Sequence, residues 1–84
     1  MKPDEYNKFV ELINKLSKAF KYDLDSDNVK LYWKFLNTYK LSVIENAINY
    51  ILFNRVYKGE VLLGEITKAM TDYKEDPKFS NHIK

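Results

Sequence analysis

Residues 31–70, LYWKFLNTYKLSVIENAINYILFNRVYKGEVLLGEITKAM, decide the fold. The helical period recurs in successive blocks of this stretch, and residues able to do chemistry are almost absent from it. The clearest start signal is Ser42-Val43-Ile44-Glu45. It has the form of a capping box, in which the serine oxygen accepts from the Glu45 amide and the Glu45 carboxylate reaches back to the Ser42 amide. Ile44, Ala47, Ile48, Ile51 and Leu52 follow at helical spacing, with the aliphatic stem of Arg55 next in register. Gly59 supplies a stop. A last helix opens between Glu60 and Gly64, carries the stripe Leu62, Leu63, Ile66, Ala69, Met70 and Tyr73, and runs to about Glu75. Asp76-Pro77 ends it, because proline pushes the preceding residue out of helical space.

Working outward toward the N-terminus, Val29, Tyr32, Trp33, Phe35, Leu36 and Tyr39 make a wide apolar face. They predict a helix from an N-cap at Ser26 or Asp27 to about Thr38 or Tyr39. Leu31 lies off that face, so burial on more than one side is expected. The short link Lys40-Leu41 predicts an antiparallel or sharply angled pair with the following helix. The first segment, about Asp4 to Phe20, places Tyr6, Phe9, Val10, Ile13, Leu16 and Phe20 on one face and Lys8, Glu11, Lys15 and Lys18 mainly on the other. Pro3, Asp4 and Glu5 suit its first turn, where a missing N–H costs nothing and negative charge meets the positive helix end. The expected architecture is all-α: one compact domain of four helices over residues 1–76, with a short polar tail over 77–84.

Composition agrees with this and excludes several classes. The 84-residue chain is 45% hydrophobic, with seven Tyr, five Phe and one Trp, but only two Gly and two Pro, which points away from turn-rich β architecture and from disorder. With no Cys there is no disulfide, so stability must come from apolar packing. No apolar run reaches the roughly 18 residues of a membrane span, and MKPDEYNK does not read as a signal peptide. These features lead us to expect a cytoplasmic protein that does not engage membranes. The net charge of +2 rests on 14 basic residues against 12 acidic ones, and Arg55 is the only arginine. A dedicated reader of phosphates or bases uses arginine, whose planar fork makes contacts lysine cannot. Weak or no nucleic-acid binding is therefore expected.

The constellations that suggest chemistry fall short of it. Asp23-Leu24-Asp25-Ser26-Asp27 begins like a calcium loop, but Asn28 stands where glycine is needed and Lys34 where a bidentate glutamate is needed. The same acids fit a helix N-terminus, stabilised by its dipole. His82, the single histidine, is third from the end and lacks the fixed partner of a catalytic base. The four serines have no neighbouring base, and Gly59 and Gly64 match no phosphate-loop spacing. No catalytic residue, metal ligand or cofactor is assigned. Tyr32, Trp33, Phe35 and Tyr39 beside Lys30, Lys34 and Lys40 have the composition of a stacking platform for single strands, yet aromatics at helical spacing in a small domain are usually core. Tyr22, Tyr50 and Tyr57 lie outside the cleanest stripes and are candidates for a partner-facing patch, together with Arg55, Lys30 and Lys34.

The order LSKAFKYDLD, LYWKFLNTYKLSVIENAINYIL, VLLGEITKAM resembles the N-terminal domain of the phage-type replicative helicase loader/inhibitor family. The matching positions are Trp33, Leu36 and Tyr39 in one helix, Ala47 in a capped helix, and Glu65-Ile66. The resemblance covers roughly residues 12–73, and its motifs are mostly core positions. It implies a small all-α, phage-encoded protein that binds the host or phage replicative helicase, holds or delivers it to an origin complex, and suppresses its ATPase and unwinding while bound. Two features depart from the family. It usually carries a proline shortly before Glu-Ile, where this chain reads Glu60-Val61-Leu62-Leu63. It also tends to extend into a C-terminal segment that engages the helicase, whereas only KFSNHIK follows Pro77 here.

The leading expectation is thus a non-enzymatic module that covers a surface on a protein partner, a replicative helicase first. Alternatives are an inhibitor of another host complex, such as a bacterial defence (CRISPR) machine, and a helical DNA-binding domain using the lysines of the first two helices. A homodimer is also expected to be accessible, since a small chain gains stability by burying an apolar patch against its copy.

Overall fold

A computed structural model describes residues 1–75 of the chain. A 3-10 turn at Pro3–Glu5 leads into α1 (Tyr6–Ala19), followed by α2 (Ser26–Leu36), α3 (Leu41–Asn54) and α4 (Leu63–Glu75). The protein is all-α, with no strand among the described residues. Its Cα extents are 34 × 29 × 18 Å. The short axis leaves depth for two layers of helices and no more, since packed helix axes lie about 8–10 Å apart. Every helix therefore keeps an outward face.

One core joins all four helices. Phe9, Ile13 and Leu16 from α1, Leu36 from α2, Ile44 and Ile48 from α3 and Ile66 from α4 are fully buried within it. α3 and α4 form the most extensive pair, α1 lies against α3, and α2 packs chiefly on α1. Trp33 fixes that last contact: its ring meets Tyr6 edge-on at 5.0 Å and Phe9 at 5.4 Å.

The ends of the helices differ from expectation in informative ways. The Ser42–Glu45 capping box does not form, because α3 starts two residues earlier than that box requires, on Leu41, with Lys40 as its N-cap and no side-chain cap. The Lys40 carbonyl already accepts from Val43 and Ile44, which leaves Ser42 inside the first turn. For α2 the cap is Asp25, whose Oδ1 accepts from the Asp27 amide at 2.9 Å. This puts the Asp25 carboxylate at the helix start, where the dipole favours it. α2 also ends at Leu36, short of Tyr39. Beyond it, the carbonyls of Asn37 and Tyr39 accept from the Met1 ammonium. At the end of α1, Lys21 adopts φ +54° and the Tyr22 amide donates back to the Ser17 carbonyl at 3.1 Å. This is a Schellman turn built without glycine.

The apolar stripes differ from the expected spacing at Leu31, Phe35, Tyr39, Leu62 and Val61, with Tyr39 43% exposed. Leu31 and Phe35, expected to be buried, are 45% and 56% exposed. Leu62 is exposed as well, while Val61, which no helical stripe includes, is fully buried. It lies before α4 begins, so helical spacing does not govern it. The 77–84 tail and His82 lie outside the described residues.

Candidate functional site

Residues 55–62, between α3 and α4, form a loop organised around one side chain. The Arg55 backbone leaves the helix in an extended conformation, with its amide still donating to Ile51 at 2.8 Å. Its side chain then turns back under the loop and is only 7% exposed. Nη1 donates to the Gly59 carbonyl at 2.8 Å and to that of Tyr57 at 3.4 Å, and Nη2 donates to the Glu60 carbonyl at 3.0 Å. Nε lies 3.2 Å from Glu65 Oε2, close enough for an ion pair but not aligned as a hydrogen bond. The guanidinium carbon sits 4.6 Å from the centre of the Phe20 ring and 4.0 Å from that of Tyr57. Lysine has neither the planar fork nor the donor count for this arrangement.

Other contacts tie the same loop to the rest of the fold. The Tyr57 hydroxyl donates to Glu65 Oε1 at 3.1 Å, so the carboxylate meets both a cation and a phenol. Gly59 takes φ +115°, a conformation that strains other residues, and its amide donates to the Phe20 carbonyl at 2.8 Å. Lys58 Nζ donates to the Ala19 carbonyl at 3.2 Å, so this ammonium meets the negative end of α1. From α2 the buried Tyr32 hydroxyl donates to the Val61 carbonyl at 3.1 Å.

The outer side of the loop is apolar and open. Val56 is 93% exposed, with Tyr57 at 57%, Leu62 at 54% and Phe53, on the last turn of α3, at 49%. Beside it a groove of 260 Å³ runs between α3 and α4, lined by Tyr50, Asn54, Arg55, Tyr57, Glu65 and Lys68 among others. A larger open depression of 640 Å³ lies between the N-terminal turn and the α2–α3 link, and its charged lining residues are Lys2, Glu5, Lys40 and Glu45.

Of the residues singled out from sequence, Tyr22, Arg55 and Tyr57 converge on this loop, and Tyr50 lines the adjoining groove. Arg55 acts from inside, as the brace, and offers little surface for direct contact. Lys30 and Lys34 are exposed on α2 and do not join the cluster. Sequence reading missed Glu65 as the counter-ion and Phe20 as a ring beneath the guanidinium. A lone arginine among lysines was the available signal, but its partners lie across a loop and on another helix. Among the described residues, no group of three or more His, Cys, Asp or Glu side chains is placed to hold a metal ion. No helix among them is long and apolar enough to cross a membrane.

Two phenols under the loop titrate late. The pKa values of Tyr32 and Tyr22 are both raised above the ordinary 10.0, chiefly by burial. The charges of Glu60 and Glu65 add to the effect on Tyr32, while the Val61 backbone works against it on Tyr22. A raised folded pKa on an acid means the fold favours the neutral form. The stability these phenols contribute is complete below pH 10.0 and is lost as pH rises through their folded values. Tyr32→Phe should therefore cost about 1 kcal/mol at neutral pH through the lost hydrogen bond, and should flatten the alkaline fall in stability. Urea unfolding from pH 8 upward tests this; an unchanged alkaline limb in both Tyr32→Phe and Tyr22→Phe would clear the phenols of that role.

No family model, curated protein or solved structure matches this chain. The case for its class therefore rests on the fold and the braced loop. Of the positions behind the helicase-loader resemblance, Leu36, Ala47 and Ile66 are fully buried and Glu65 pairs with Arg55, so these four serve the fold, while Tyr39 is 43% exposed.

Proposed function

We propose that this chain is a non-enzymatic protein-binding module whose contact surface is the Arg55-braced loop. The observation that carries the reading is the contrast between neighbours: Val56 is 93% exposed, while the Arg55 side chain is 7% exposed. A bundle needs no fully exposed valine, and an ordinary connection needs no arginine holding three of its carbonyls. Loops fixed on a rigid scaffold are where binding residues concentrate. A backbone already held in place spares the ordering entropy that a mobile loop loses on docking. Val56, Tyr57, Leu62 and Phe53 supply an apolar, partly aromatic contact surface, and Tyr50 extends it into the α3–α4 groove.

The partner to test first is a replicative helicase of a bacterial host, on the resemblance noted from sequence, with suppression of its ATPase as the consequence of binding. Calorimetric titration of the purified helicase with this protein and with Val56→Asp tests both parts. Val56→Asp should leave the melting temperature unchanged and weaken binding about thirtyfold, the size of one lost hot-spot contact. Equal binding by the variant would remove the loop as the contact surface. Absence of binding by either protein would remove the helicase.

A further inference from the structure

We draw no further inference here: the strongest candidate, the exposed apolar face of Leu31 and Phe35 on α2, carries the exposed Asp27 as well as the exposed Lys34 along the same side, so nothing in the structure shows what covers it.

Discussion

Replacing Arg55 by alanine is expected to cost about 3 kcal/mol of stability, the range for breaking a buried, paired charge. For a domain of this size that corresponds to a fall in melting temperature of roughly 15 °C. The loss has several physical sources. Three loop carbonyls lose their donor, Glu65 loses its counter-ion, and the rings of Phe20 and Tyr57 lose the cation between 4.0 and 4.6 Å from their centres. Arg55→Met, which keeps the aliphatic stem, should recover part of the loss and so separate packing from charge. Arg55→Lys should fall between wild type and alanine, since an ammonium cannot serve carbonyls at three separate positions. Thermal and urea unfolding measure all three. A cost below about 1 kcal/mol for alanine, the value of an exposed ion pair, would mean that water replaces the guanidinium without penalty and that the loop holds its shape by other means.

Phe9→Ala should be at least as damaging, at about 3–5 kcal/mol. Phe9 is fully buried and meets both the core and the Trp33 ring, so its removal opens a cavity at the contact between α1 and α2. Small domains have only about 5–15 kcal/mol in total, and this one has no disulfide to limit the unfolded chain. α2 packs chiefly on α1, so the damage should appear first there. Trp33 is the only tryptophan and reports it directly. Its near-UV signal and emission should change at temperatures where the far-UV signal of the remaining helices persists. Coincident loss of both signals would show that the four helices unfold as one unit.

The helices themselves were legible because each depends on local spacing. Phe9, Ile13 and Leu16, or Ile44, Ala47, Ile48 and Ile51, recur as one face and are buried as one face. What spacing could not provide were contacts made across long separations in sequence. The Ser42–Glu45 pattern is a valid cap in isolation, yet α3 begins at Leu41 behind Lys40 and no side-chain cap forms. Phe35 matches the period of a core residue, but with α2 at the edge of the bundle it stays 56% exposed among the described residues. Tyr22 and Tyr57 are aromatics off the stripes, and each lies within the influence of Arg55 at the loop. Arg55 drew notice as the only arginine, but its role as a brace depends on Phe20, 35 residues earlier in the chain, and on Glu65 a helix away. Neither pairing leaves a periodic trace.

The Gly59 amide on the Phe20 carbonyl and the Lys58 ammonium on the Ala19 carbonyl have a consequence for anyone engineering this protein. In most helical bundles a connection of eight residues is the natural place to splice in a tag, a reporter or a foreign epitope, because surface loops absorb added length at little cost. Here the connection also finishes the far end of another helix. Extra residues between Arg55 and Glu60 would draw the donors away from α1 while pulling the guanidinium off its carbonyls. A segment that looks like spare length in the sequence is therefore a fixed-length part, and the length of the loop is as much a determinant of the fold as the residues in it.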